Sequence, residues 1–166
     1  MTKTEKKSNF DLMSSIPQKL IDCIERGNKI LICGNGGSAV QSSHFAEELQ
    51  VKLTKKRIAL PAIALSDSAV ITAIGNDFGF EYIFSRQIEA IGNEGDLLIV
   101  LSTSGKSKNC LKAIETAESL GLEVLEFPRR GKDVADIQDN QLKLMHKVCQ
   151  VVEDYFYELR RGVLSA

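Results

Sequence analysis

Long hydrophobic runs are missing from this sequence: nowhere do the ~18 consecutive apolar residues of a membrane-spanning helix occur. The opening stretch MTKTEKKSNF is polar and has no apolar segment of a secretory signal. An excess of either charge is missing too. The 21 Lys and Arg against 22 Asp and Glu leave a net charge of −1, which argues against a general nucleic-acid or membrane-surface binder. Cysteine is sparse, and Cys23, Cys33, Cys110 and Cys149 stand far apart with no CxxC, so reduced core thiols in a cytoplasmic protein are expected rather than disulfides. There is no internal repeat and no low-complexity linker. Histidine occurs only twice, as His44 and His146.

What is present reads as one α/β domain. A chain of 166 residues is about one domain long. Residues 1–9 are expected to be disordered and residues 10–166 to form the domain. Phe10, Leu12, Met13, Ile16, Leu20, Ile21 and Ile24 make a helical stripe over 10–27. Four short apolar runs follow, KILICG (29–34), PAIALS (61–66), DLLIVLS (96–102) and LEVLEF (122–127). They are too short for helices and too continuous for half-exposed strands, so buried parallel strands are expected. Helical patterns lie between them at 38–54, 68–75, 80–92 and 107–120, and a long one covers 136–160. Strand alternating with helix predicts a three-layer αβα sandwich around a parallel sheet of four to five strands, flavodoxin-like in kind.

In such sheets ligands bind outside the carboxyl ends of the strands. The first strand ends in Gly34-Asn35-Gly36-Gly37-Ser38, whose glycines let backbone N–H groups approach an anion at a helix start that Ser38 is expected to cap. The third ends in Ser102-Thr103-Ser104-Gly105-Lys106-Ser107, four hydroxyls and a glycine at another helix start. Neutral donors of this kind suit a phosphate monoester. Either loop alone is equally a tight turn with a helix cap; two of them in one sheet carry more weight. Neither is the GxGxxG or the GK[ST] pattern of nucleotide sites. Asn76 and Asp77, between Gly75 and Gly79, read as a turn. His44 and Glu48, four apart, share a helix face and can converge on a metal or a substrate carbon, or can be an ordinary surface pair. Glu47 is expected to face elsewhere. Gln138 precedes His146 by eight positions, ~12 Å along a helix, a long reach for one shared ligand.

Taken together, the ordered set CGNGGSAVQSSHFAEEL, PAIALSD, AIGNDFGFEYIFSRQIEAIGNEGDLL and STSGKSKN, with DIQDNQLKLMH more loosely, resembles the sugar-isomerase (SIS) domain proteins, specifically the bacterial phosphoheptose isomerases. The resemblance implies that Ser102, Thr103, Ser104 and Ser107 hold a sugar phosphate. It implies that Asn35, Gly36, Gly37, Ser38, Asn76, Asp77 and Gln138 meet the sugar. His44, Glu48, Gln138 and His146 match the zinc positions, and both histidines of a histidine-poor chain fall there. Lys52 stands where the family has an arginine, keeping the charge without the bidentate fork. The segment EFPRRGKDVA is too short for the family's longer Gly-rich loop and fifth strand, and Ala135 stands where the family has an aspartate.

The implied activity is conversion of sedoheptulose 7-phosphate to D-glycero-D-manno-heptose 7-phosphate through an enediol, with Glu48 as base, His146 as acid and one labile zinc per subunit. The family also implies a homotetramer with sites at subunit interfaces, and a product used for the heptose of the bacterial outer envelope. Two other readings remain: an interaction module like the SIS-domain regulator of the replication initiator, or a sugar-phosphate-binding regulator. The His/Glu/His set favours the enzyme.

Overall fold

The computed structural model describes residues 15–164, with side chains through residue 159. All four apolar runs become strands: β1 (Ile30–Gly34), β2 (Ala62–Ala64), β3 (Leu97–Leu101) and β4 (Glu123–Glu126). They lie in the order β2-β1-β3-β4 with every pairing parallel. Parallel neighbours require crossovers, supplied here by α2 (Gly37–Gln50), α3 (Ser68–Asp77), α4 (Ser85–Ile91) and α5 (Lys108–Ser119). Helix α1 runs to residue 25, and α6 (Val134–Leu164) closes the chain.

Strands β1 and β3 are buried at every position, which is why they read as continuous apolar runs. Alternate side chains feed two cores. Ile30, Ile32, Leu97 and Ile99 pack with Leu20 of α1, Phe45 and Leu49 of α2, and Met145 and Val152 of α6. Leu31, Cys33, Leu98 and Val100 pack with Ile88 of α4 and with Cys110, Ala113 and Ala117 of α5. The expected three-layer αβα sandwich is therefore present. Among the described residues it has four strands, and residues 127–133 pass from β4 into α6 without a fifth. All four cysteines are buried free thiols. Burial pushes the Cys149 thiol up to about 12.

Several boundaries differ from the sequence reading, each for a physical reason. Helix α2 stops at Gln50, not 54, because a buried carboxylate on α6, Glu153, takes the N–H groups of Leu53, Thr54 and Lys55. Ser38 does not cap α2: Gly36 is the N-cap at φ 56°, and Ser38 is buried inside the first turn. The segment 80–92 breaks into a 3-10 turn (Phe80–Tyr82) and α4, which puts both Ile83 and Phe84 into the second core. Asn76 and Asp77 are not in a turn. They end α3, with the Asn76 amide donating to Asp77 at 2.7 Å. The stripe residues Phe10, Leu12 and Met13 and the expected disorder of 1–9 lie outside the described residues.

Candidate functional site

The sheet order reverses between β1 and β3. From β1 the chain goes on to β2 at one edge, and from β3 to β4 at the other, so the crevice for a ligand opens between these two strand ends. Gly34 pairs with Leu101 across it, which sets the two loops side by side. A Cβ on Gly34 would come within 2.7 Å of the Leu101 carbonyl, so glycine is required there by contact.

A reciprocal amide pair ties the loops together. Asn35 Nδ2 donates to Asn109 Oδ1 at 2.9 Å, and Asn109 Nδ2 returns a bond to Asn35 Oδ1 at 2.8 Å. Asn109 Oδ1 also accepts the N–H of Cys110. Asn35 thus spends its side chain on the far loop, and the backbone around it is left to face a ligand. Sequence reasoning missed Asn109, a buried amide in the first turn of a helix.

In the second loop the hydroxyl oxygens of Ser102 and Ser104 accept the N–H groups of Gly105 and Lys106, which folds the loop and leaves both hydroxyl protons to point elsewhere. Ser107 is the N-cap of α5 by position but makes no capping bond, and the first turn has no acidic residue. The helix start is therefore free to meet an anion. The guanidinium of Arg129 lies over Gly105, where a Cβ would be 2.7 Å from its Cζ. A cavity of about 600 Å³ opens alongside, lined by Asn35, Phe78, Phe80, Glu81, Ser107 and Lys108.

The titratable cluster forms where α2 meets α6. His44 Nε2 lies 3.0 Å from His146 Nε2 and 3.6 Å from Glu48 Oε1. Ligand atoms of His44, Glu48 and His146 all lie within 4.8 Å of one another, so these three can hold a metal ion. The fit is good: bonds of ~2.0–2.2 Å in a tetrahedral site put neighbouring donors about 3.3 Å apart, and two histidines with a carboxylate are a donor set of catalytic zinc sites. Glu47, expected to face elsewhere, stays out of this cluster. Its Oε2 lies 3.5 Å from His44 Nδ1, behind the ring. A carboxylate there favours the Nδ1–H tautomer and turns the Nε2 lone pair into the cluster. Burial pushes the Glu48 carboxyl above the ordinary carboxylate value, the Glu47 charge adds to this, and the two histidines oppose it.

Gln138 of α6 meets the first turn of α2. Its side chain packs on Gly37, where a Cβ would be 2.5 Å from Nε2, and its carbonyl accepts from Gln41 at 2.8 Å. Gly37 precedes His44 by about 10 Å along the helix at ~1.5 Å per residue. Gln138 therefore stands beside the Asn-Gly-Gly turn. Lys52 is exposed in the turn after α2. Asn76 and Asp77 end α3 next to Phe78 of the cavity wall.

A family model described as "SIS domain" matches residues 2–127. The chain belongs to the SIS-domain family. Among curated relatives it is 44% identical over 156 residues to the phosphoheptose isomerase of Campylobacter concisus, covering 84% of this chain and 82% of that protein. It is 43% identical over 171 residues to the phosphoheptose isomerase of Helicobacter pylori, covering 91% and 89%. Among solved structures, a phosphoheptose isomerase from Francisella tularensis superposes with TM-score 0.83 at 32% identity, over 93% of this chain and 100% of that one. Another from Neisseria gonorrhoeae gives TM-score 0.82 at 31% identity, over 90% and 89%.

Proposed function

We propose that this chain is an aldose–ketose isomerase that interconverts sedoheptulose 7-phosphate and D-glycero-D-manno-heptose 7-phosphate. The observation that carries the reading is the meeting of His44, Glu48 and His146 where α2 packs on α6, in a SIS-family chain whose relatives are named phosphoheptose isomerases. The readings as an interaction module or a non-catalytic regulator are not favoured. The phosphate rests on the hydroxyls of Ser102, Thr103, Ser104 and Ser107 at the start of α5, with Lys52 supplying charge. The sugar lies along Asn35-Gly36-Gly37-Ser38, with Asn76, Asp77 and Gln138 around it. Glu48 takes the proton alpha to the carbonyl, the enediol forms, and the proton is returned to the neighbouring carbon. His146, from the other helix, exchanges the proton at the sugar oxygens. A labile zinc held by His44, Glu48 and His146, with Gln138 as a further candidate, would polarise the substrate carbonyl, and Glu48 and His146 would move protons only while they are not bound to it. We further propose a cytoplasmic homotetramer. Exposed Val151, Tyr155 and Leu159, spaced by four along α6, offer the apolar stripe for such contacts, and no helix among the described residues is long and apolar enough to cross a membrane.

The direct test is turnover of sedoheptulose 7-phosphate by the purified protein, and no conversion to the aldose would overturn the reading. Ser107→Ala and Ser104→Ala each raise KM with kcat nearly unchanged, since a hydrogen bond to a charged group is worth about 1.5–3 kcal/mol. Unchanged KM in both variants would move the phosphate elsewhere. Dialysis against a chelator lowers turnover, and zinc restores it. Zinc binding followed by calorimetry weakens about 10-fold or more in His146→Ala. Equal zinc affinity in that variant would remove His146 from the ligand set.

A further inference from the structure

Glu153 follows His146 by seven residues, so the two share one face of α6, the face turned to the end of α2. Glu153 is fully buried. Its carboxylate accepts the N–H groups of Leu53 and Thr54 at 2.7 Å, that of Lys55 at 2.8 Å, and the Thr54 hydroxyl at 2.8 Å. The turn carrying Lys52 is pinned to α6 in this way. Arg57 is buried between the two helices, its side chain 1% exposed. Its Nη2 donates to the backbone carbonyl of Glu48 at 2.7 Å, and its Nη1 to that of Ile58 at 2.7 Å. Its Nε faces Glu153 Oε2 at 3.7 Å and has no hydrogen-bond partner.

We propose that Arg57, backed by Glu153, is a positioning residue for the isomerisation: it fixes the end of α2 against α6 and so sets the approach of the Glu48 carboxylate to His146. This rests on the reading of Glu48 as the base. Two observations favour it over a purely structural pair. A buried ion pair adds little net stability compared with apolar packing, and this one keeps an unpartnered Nε, a cost that selection for stability alone would remove. The fork also ends on the carbonyl of the one residue of α2 whose carboxylate enters the cluster together with both histidines.

Arg57→Lys keeps the charge but cannot hold Glu48, Ile58 and Glu153 at once. The expected result is a kcat lower by about 10- to 100-fold, because a misplacement near 1 Å costs up to about that much, with KM for sedoheptulose 7-phosphate within about two-fold of wild type. Arg57→Gly opens a hole that ethylguanidinium fills, and its addition raises kcat at least about 10-fold. Circular dichroism and the unfolding midpoint are measured on each variant, and rates are referred to folded protein. A wild-type kcat in folded Arg57→Lys, or a loss in both variants that follows only the folded fraction and is not rescued, overturns the inference while an inactive Glu48→Gln keeps the base assignment. A fully active Glu48→Gln overturns the base assignment and this inference with it.

Discussion

Replacing Glu48 with Gln lowers turnover of sedoheptulose 7-phosphate by about 10²–10⁴-fold, the usual cost of losing a general base, and leaves binding and the unfolding midpoint near wild type. The glutamine keeps the size and a hydrogen-bonding oxygen but cannot take a proton. Glu48 is 8% exposed and approaches His44 from within the same helix, so the substitution leaves no cavity. Glu47→Gln costs far less, about 10-fold or under, because Glu47 reaches only the outer nitrogen of His44. Steady-state kinetics and calorimetric binding on the two variants decide the matter. If Glu47→Gln is the inactive one, the base is Glu47. If both keep full turnover, the cluster has no part in proton transfer.

Asp96→Ala destabilises the fold by about 3–5 kcal/mol, the cost of breaking a buried charged pair by removing one partner. Asp96 is 1% exposed at the start of β3. It accepts the Lys29 N–H at 2.9 Å and ammonium at 2.6 Å, the Asn93 N–H at 2.8 Å and the Asn28 amide at 3.2 Å. It therefore staples the segment entering β1 to the segment entering β3. Burial alone would raise its pKa, but the Lys29 N–H and ammonium and the Asn93 N–H outweigh burial and hold it below the ordinary value. With the folded pKa below the unfolded one, about 3.9, the stabilisation is complete above that pH and is lost as pH falls through the folded value. Urea unfolding checks both points. The gap between wild type and Asp96→Ala is widest near pH 7 and narrows below pH ~4. A gap under about 1 kcal/mol, or one unchanged with pH, would show that the staple is redundant.

The architecture was legible in the sequence because burial on both faces leaves a mark that needs no tertiary information. Strands β1 and β3 had to be continuous apolar runs, with glycine at 34 ending β1 and at 105 beyond β3, where chain or side chain crowds in. His44 and Glu48 could be paired from spacing alone, since one helix carries both. Glu47, expected to face elsewhere, stays out of the cluster and meets only the outer nitrogen of His44, a contact set by the orientation of the histidine ring. The sequence could not say where α6 crosses α2, and so could not place the side chain of Gln138 on Gly37. The end of α2 was misjudged because its competitor for backbone N–H groups is Glu153, about 100 residues downstream and invisible to any local window. Asn109 and Arg57 belong to the same class. Their partners, Asn35 and the Glu48 carbonyl, are contacts that packing alone creates, so local pattern determined the layers and the strand-end loops, while the meeting of α2 with α6 decided the site.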